Sequence, residues 1–279
     1  MKKYNVGLQI YSVRNDLKND FEGTLKKVAE MGYEYVELAG YYGGHTGEEI
    51  KEILDRYGLK SISVHQGADM FIEQGQAAFD FFKAYGVKYI VIPWYDKNLL
   101  PGNPDWEKTK MIFAGIAYMA KENGMKLLYH NHDFEFEKKI EGEYAYDVMF
   151  SDLKGRLDPE PDLCWLNYGG VNPAEYLRKY AGRVKVVHFK DFVCSNLKGG
   201  PVYALIDKDG NAVKPSKNDT GFCMKPVGYG CQDWNAIMSA CEDTDVETII
   251  VEQDDFEEGL EPLEGVRQSR EYLRKTFNI

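Results

Sequence analysis

Histidine is concentrated in one short stretch of this chain, Leu127 to Phe136, with the sequence LLYHNHDFEF. His130 and His132 flank a single asparagine there, and they are two of only five histidines in 279 residues. An imidazole has an ordinary pKa near 6.5, so it can accept and return a proton at neutral pH, and its nitrogens bind transition metals. The spacing therefore indicates a site for proton transfer or for a metal ion.

Other ionisable residues stand at the carboxyl ends of short apolar runs elsewhere in the chain. These residues are Glu37, His65, Asp162, His188, Lys190, Asp191, Glu252 and Asp254. Only His45, in YYGGHTG, lies in a loop beyond such a run. A single residue of this kind is usually a satisfied hydrogen bonder. Its recurrence in run after run favours a shared site.

The segments that must position these residues alternate between two types. Short runs rich in β-branched and aromatic residues follow longer segments of helical period, and glycine stands between them in AEMGYEYVELAG, DRYGLKSISVHQ, KAYGVKYIVIPWY and KENGMKLLYHNH. Glycine adopts the left-handed conformation that ends a helix, so each stretch predicts a helix running into a strand. The predicted strands are Val6–Tyr11, Tyr35–Ala39, Ser61–His65, Tyr89–Trp94, Lys126–His132, a run near Pro161–Leu166, Val184–Lys190 and Thr248–Gln253, and a last helix is predicted at about Pro262–Phe277.

Eight alternating units in a chain of this length predict an α/β fold, a single (β/α)8 TIM barrel domain over residues 1–279. The first turn lacks the GxGxxG of a dinucleotide-binding open sheet. An insertion follows the seventh strand at Phe192–Cys231, and its IDKDGNAVKPSKNDTG predicts a small hairpin or excursion. In a barrel this insertion would lie over the active-site mouth, as a lid or a subunit contact.

The carboxyl ends of barrel strands surround the active site, so the strand-end residues should converge. Because side chains two apart share a strand face, we expect an imidazole of the HNH stretch to meet Asp162, His188 and Glu252. Nitrogen and carboxylate oxygen without thiolate suit a divalent ion such as Mn²⁺, Co²⁺, Zn²⁺, Fe²⁺ or Mg²⁺. The alternative is a hydrogen-bonded network that binds a ligand without metal.

Composition excludes several classes of function. The chain has 45 acidic and 34 basic residues, a formal net charge of −11, which argues against binding nucleic acid by neutralising phosphates. No apolar run approaches the roughly 20 residues of a membrane span, and the first residues lack a signal-peptide core. The five cysteines form no CxxC pair. We therefore expect a cytoplasmic protein with free thiols.

The order of these motifs resembles that of the sugar phosphate isomerase/epimerase family, the xylose isomerase-like barrels. That family also includes inosose dehydratases, ketose 3-epimerases and the endonuclease IV group. The stretches that match are LQIYSVR, GYEYVELAG, LYHNHDFEF, DLCW, VVHFKD, PVGYGCQDW and IIVEQD, one after another along the chain. The resemblance implies a TIM barrel that acts on a carbohydrate.

The resemblance also implies a metal held by Glu, Asp, His and Glu from the fifth to the eighth strands. The last three positions match Asp162, His188 and Glu252, whereas His130 stands where relatives have glutamate. His132 lies on the same strand face and is the alternative ligand. In ketose 3-epimerases the two glutamates are also paired bases, so this change argues against direct 3-epimerisation by two carboxylates.

Such a site would remove a proton next to the carbonyl of a keto sugar or polyol. Glu252 or His132 would take the proton, and Lys190 would donate to the developing oxyanion. The predicted substrate-binding residues are His65, Glu37, Trp165 and Asp254; Trp94 and Tyr11 are weaker candidates, and Glu135 with Glu137 is expected to be a solvated turn. Epimerisation, isomerisation and elimination all remain open.

Two other functions fit the sequence less well. A non-catalytic carbohydrate-binding barrel would use the same cavity without turnover. An endonuclease IV-like DNA repair enzyme would need a larger set of histidine and acidic ligands than five histidines allow. The expected partner is a small carbohydrate, with no nucleic acid and no membrane, and homo-oligomerisation stays open.

Overall fold

A computed structural model describes residues 3–195 and 221–279. Its main sheet has eight strands: β1 (Asn5–Gln9), β2 (Tyr35–Ala39), β3 (Ser63–His65), β4 (Tyr89–Ile92), β5 (Lys126–His130), β6 (Leu157–Glu160), β7 (Val186–Phe189) and β8 (Thr248–Val251). All pairings are parallel, in the order β6-β5-β4-β3-β2-β1-β8-β7. A parallel bridge between Asp162 and His188 joins the two outer strands. The predicted barrel is confirmed.

Helices alternate with these strands along the chain. They span Arg14–Asn19, Phe21–Glu30, Gly47–Arg56, Ala68–Gln74, Gln76–Ala84, Trp106–Glu122, Ala145–Asp152, Leu163–Tyr168, Pro173–Lys179, Trp234–Asp243 and Pro262–Phe277, with short 3-10 turns at Ile10–Val13, Lys97–Leu99 and Phe134–Phe136. The last helix has the predicted bounds. No helix in the described ranges is both long enough and apolar enough to span a bilayer.

Alternation along the strands sets the depth of the functional residues. A separate apolar cluster consists of Val91, Leu128, Val186 and Ile250. Two residues further along β5, β7 and β8, the same face presents His130, His188 and Glu252. Space is tight at this level of β1, where a Cβ on Gly7 would lie 2.6 Å from Cδ1 of Ile250. A polar layer thus rests directly on an apolar floor inside the barrel.

The predicted sixth strand was wrong in position. It was expected near Pro161–Leu166, but β6 is Leu157–Glu160, and Leu163–Tyr168 is a helix. The Asp162 side chain caps that helix by accepting a hydrogen bond from the backbone N–H of Trp165 at 2.9 Å. Each proline removes a ladder donor, and the contact of β6 with β7 is reduced to the bridge at Asp162.

Several strands end earlier at the barrel mouth than the sequence predicted. The fifth and the eighth both stop two residues before their predicted ends, and His132 and Asp254 therefore lie in the loops that follow β5 and β8. The insertion after β7 begins and ends as an antiparallel ribbon, Asp191–Val193 with Cys223–Lys225. Its predicted internal turn, within residues 206–220, lies outside the described residues.

Candidate metal centre and active-site cavity

A cavity of about 210 Å³ lies at the carboxyl ends of the strands. One part of its lining is polar, from His65, His130, His132, Lys190, Glu252 and Asp254, and the other is largely apolar, from Tyr11, Ala39, Gly40, Gly67, Pro93 and Trp94. Trp94 is 46% exposed. A lining that combines polar side chains with the partly exposed ring of Trp94 suits a sugar, which has both hydroxyl groups and apolar C–H faces.

A wider groove of about 700 Å³ lies at the opposite end of β5, against the helix Trp106–Glu122. Within residues 3–195 and 221–279, its lining has four basic residues but a single acid, Asp158, and no histidine. Asp158 is already paired there with Lys126 and Arg183. The groove is larger than the cavity at the mouth, but its side chains lack the combination of acids and imidazoles needed for the predicted chemistry.

Four buried side chains converge at the base of the cavity. One ligand atom from each of His130, Asp162, His188 and Glu252 lies within 4.8 Å of the others. Nδ1 of His188 is 2.9 Å from Oε2 of Glu252, and Nε2 of His130 is 3.8 Å from Oδ2 of Asp162 and 3.9 Å from Glu252. Donors held about 2.1 Å from one ion lie about 3–4 Å apart. The set therefore fits a divalent ion in size and in ligand type.

Two of the central imidazoles, His130 and His132, are neutral. For His188, burial is outweighed by Glu160, Glu37 and Glu252, which hold its pKa well above its usual value. Burial, together with nearby His188, lowers the pKa of His130 to about 4. Burial, followed by the neighbouring His130, also holds the pKa of His132 well below its usual value. A neutral imidazole keeps a lone pair for a metal ion or for a substrate proton. The two rings lie 5.4 Å apart between centroids.

Lys190 reaches the same carboxylates from the side. Its Nζ lies 2.9 Å from Oε2 of Glu252, 3.0 Å from Oδ2 of Asp162 and 3.0 Å from Oδ2 of Asp254. Burial opposes the charge of Lys190, but these three carboxylates hold its pKa well above the usual value. Lys190 is therefore a fixed, protonated donor at the cavity wall.

Behind the ligands lies a layer of buried polar side chains. Oε2 of Glu37 and Oε2 of Glu160 each lie within 3.2 Å of Nε2 of both His65 and His188. Burial and the neighbouring Glu160 raise the pKa of Glu37, although the imidazoles partly offset this. Gln9 donates a hydrogen bond of 2.8 Å to Glu37. This layer connects β1, β2, β3, β6 and β7 beneath the cavity.

The family is decided by a match over most of the chain. The model of the xylose isomerase-like TIM barrel matches residues 25–276. The chain belongs to this family. Within it, an inosose dehydratase of Clostridium perfringens (strain 13) is 25% identical over 94% of this chain and 92% of its own length. An inosose dehydratase of Lacticaseibacillus casei is 26% identical over 90% of each chain.

Two solved structures superpose on this chain over nearly its whole length. A sugar phosphate isomerase/epimerase from Parabacteroides distasonis has 25% identity and a TM-score of 0.74, covering 98% of this chain and 99% of its own. IolI, described with a binding zinc atom, has 16% identity and a TM-score of 0.67, covering 97% of both chains. The latter likeness is one of fold.

The predicted site residues of this barrel fall into two groups. Those that line the cavity are His65, His130, His132, Lys190, Glu252 and Asp254, whereas Glu37, Asp162, Trp165 and His188 are fully buried beside it. Trp165 packs below Lys190, whose Nζ is 5.3 Å from the ring centroid. Tyr11 and Trp94, the weaker candidates, do line the cavity.

Sequence reasoning missed one acid, Glu160, misjudged the exposure of Glu135 and did not predict the structural role of Asp191. Glu160, within the proline-containing LDPEPD, was not predicted, although it lies two residues before Asp162 and is fully buried. Glu135 was expected to be solvated, but it is 1% exposed and accepts hydrogen bonds from the Tyr129 hydroxyl and the His132 backbone N–H. Asp191 accepts from several backbone N–H groups of the segment that returns from the insertion. Its role is therefore structural.

Proposed function

We propose that this chain is a divalent-metal-dependent enzyme that removes a proton next to the carbonyl of a keto sugar or keto polyol. The main support is the convergence of four buried ligands, His130, Asp162, His188 and Glu252, beside a cavity of about 210 Å³. The zinc described in IolI agrees with a nitrogen and oxygen ligand set. A bound divalent ion would polarise adjacent oxygens of a hydroxy-ketone and so acidify the neighbouring C–H bond.

The chain's own residues would move the protons. Glu252 and His132 both line the cavity, and one of them would take the proton from the carbon next to the carbonyl. Lys190 would donate a hydrogen bond to the carbonyl oxygen as that oxygen becomes negative. His65 and Asp254 also line the cavity and would bind hydroxyl groups.

Elimination of water is the outcome that we favour. A two-carboxylate exchange of protons would need a glutamate at the position of His130, and this chain has an imidazole there. In elimination, the electrons of the broken C–H bond form the new double bond, and the β-hydroxyl leaves as water after taking a proton from Asp254, or from His132 once that imidazole has accepted the C–H proton. The inosose dehydratases, similar over at least 90% of this chain, support this outcome.

Epimerisation or isomerisation is the second candidate. It is supported by the Parabacteroides distasonis sugar phosphate isomerase/epimerase, with a TM-score of 0.74 at 25% identity. The same proton would be removed, but it would return to the other face or to the neighbouring carbon. A neutral substrate is favoured over a phosphorylated one, because among the described residues Lys190 is the sole Lys or Arg in the cavity lining and three carboxylates already bind it.

The test is turnover of a panel of inososes, ketoses and keto-glycosides in D₂O, with Mn²⁺, Co²⁺, Zn²⁺, Fe²⁺ or Mg²⁺ supplied separately. Mass spectrometry would detect loss of water, and NMR would locate solvent deuterium in the product. We expect dehydration of a keto polyol that requires the added ion and is absent from His188→Ala. Sugar binding without any turnover or exchange would instead support a non-catalytic carbohydrate-binding barrel.

A further inference from the structure

A backbone amide fixes which group donates in each hydrogen bond of the chain behind the candidate ligands. The N–H of Tyr11 can only donate, and it donates to Oε1 of Gln9 at 3.1 Å. The Gln9 amide is thereby oriented, so its nitrogen faces Oε2 of Glu37, 2.8 Å away. An amide nitrogen also can only donate. Oε2 of Glu37 is therefore an acceptor.

The same oxygen of Glu37 faces His188. Nε2 of His188 lies 2.7 Å from Oε2 of Glu37, and both side chains are fully buried. An acceptor oxygen requires a donor opposite it, so Nε2 of His188 has its hydrogen. The other nitrogen, Nδ1, is the one that faces Glu252 across the ligand set, at 2.9 Å. Without an ion, Nδ1 also holds a proton against this carboxylate. Because Glu37 retains the hydrogen at Nε2, Nδ1 is the nitrogen at which an ion would replace a proton and take the lone pair.

His65 and Glu160 form a second imidazole–carboxylate pair beside His188 and Glu37, and this pair packs against the His188 ring. His65 and His188 are stacked, with ring centroids 5.0 Å apart and an interplanar angle of 6°. Nε2 of His65 makes its short contact with Glu160, at 2.7 Å, whereas the crossed contacts are longer: 3.1 Å from His65 to Glu37 and 3.2 Å from His188 to Glu160. Each imidazole therefore has one carboxylate of its own.

We infer that Glu37 and Gln9 are positioning residues that fix the tautomer and orientation of His188, so that His188 binds the metal ion through Nδ1 alone. This inference rests on the proposed metal site. Neither residue lines the cavity, and both would act only through His188. Hydrogen-bond partners of a ligating histidine typically contribute about 10–100-fold to metal affinity.

Zinc is the probe for the test, since it is diamagnetic and allows ¹⁵N NMR of histidine in the loaded, full-length chain. The His188 signals are assigned by their loss in His188→Gln. We expect Nε2 to be protonated and Nδ1 to have the shift of a zinc-bound nitrogen. Coordination through Nε2, or two zinc ions per chain with one among His65, His188, Glu37 and Glu160, would overturn the inference.

Variants of Glu37 separate its role as a hydrogen-bond acceptor from the effect of its negative charge. Glu37→Gln keeps an acceptor oxygen and should retain the tautomer, with a smaller loss of zinc affinity than Glu37→Leu, for which we expect about 10–100-fold. Gln9→Leu leaves Glu37 and His188 in place and should give an intermediate loss. Glu135→Gln is the matched control, because it removes a buried carboxylate that does not contact His188, and its zinc affinity should equal that of the wild type.

Circular dichroism and metal-free thermal unfolding show which variants are folded. A folded Glu37→Leu and a folded Gln9→Leu with wild-type zinc affinity would refute the positioning role. If Glu37→Leu does not fold, Gln9→Leu and the NMR measurement decide. A wild-type chain that binds no divalent ion would instead contradict the proposed function itself, which is a separate result.

Discussion

The ammonium nitrogen of Lys190 lies 2.9 Å from Oε2 of Glu252, one of the four candidate metal ligands. It also lies 3.0 Å from Oδ2 of Asp162, so it contacts both carboxylates of the ligand set. A metal ion and this ammonium would therefore compete for the same two oxygens. Asp254, 3.0 Å from Nζ, is not one of the candidate ligands, so it would remain a partner of Lys190 when an ion is bound.

Replacing Lys190 with methionine should separate metal binding from turnover. Lys190→Met removes the competing charge, so metal affinity should stay equal or rise. Turnover should fall by about 10²–10³, the usual effect of deleting one oxyanion donor. Metal titration and steady-state kinetics on the same preparation would check both. Unchanged kinetics would mean that Lys190 only balances the charge of Glu252 and its neighbours.

The barrel and the residues of its candidate metal site were accessible from sequence because the signals are local. A glycine that ends a helix and an apolar run that forms a strand can each be recognised within a few residues. The alternation of side chains along β5 and β7 places His130 and His188 on the inward face. Asp162 was found as a strand-end acid, although it is in fact the cap of a helix. Its place beside His188 and Glu252 was predicted correctly, whereas its secondary structure was wrong.

The buried layer behind the ligands could not be predicted in the same way. Gln9 and Glu160 matter because they meet Glu37 and His65, which lie 28 and 95 residues away in sequence. Such pairing depends on the register of neighbouring strands, and a single sequence does not give that register. The two prolines beside Glu160 further concealed its strand. Glu135 was misjudged because charge predicts exposure unless a partner, here the Tyr129 hydroxyl, is known.

Substituting Asp162 should remove the metal without unfolding the protein. Asp162→Asn is preferable to Asp162→Ala, because an amide oxygen can still cap the helix at Trp165, whereas alanine forfeits about 1 kcal/mol. Both variants, and His188→Ala, should lose bound metal by elemental analysis yet remain folded. Wild-type metal content in Asp162→Ala and His188→Ala would refute the ligand assignment.

Stability should depend on pH through Glu135. Burial raises the pKa of this carboxyl to about 8, with partial offset by the Tyr129 hydroxyl. Since its ordinary pKa is near 4.5, the folded state retains a proton that the unfolded chain releases. The contribution of the protonated Glu135 carboxyl to the free energy of unfolding is full below about pH 4.5 and is lost as pH rises toward about 8.

Glu135→Gln imitates the protonated carboxyl and should remove this dependence. The loss of metal-free unfolding free energy between about pH 5 and pH 8 should be smaller in the variant than in the wild type. Urea unfolding at both pH values would measure it. Parallel pH profiles for the two proteins would show that Glu135 ionises without cost in the folded chain.

The two histidines of the HNH stretch should have different roles. Nε2 of His130 lies within 3.9 Å of Asp162 and Glu252, whereas His132 follows β5 and stacks on Phe134 at the cavity. Asn131 turns elsewhere and accepts a hydrogen bond from the backbone N–H of Asp162 at 3.0 Å. His130→Ala should therefore lower metal affinity, and His132→Ala should keep the metal and lose turnover. Metal titration and kinetics on both variants would check this, and the opposite pair of phenotypes would exchange the two roles while leaving the metal site in place.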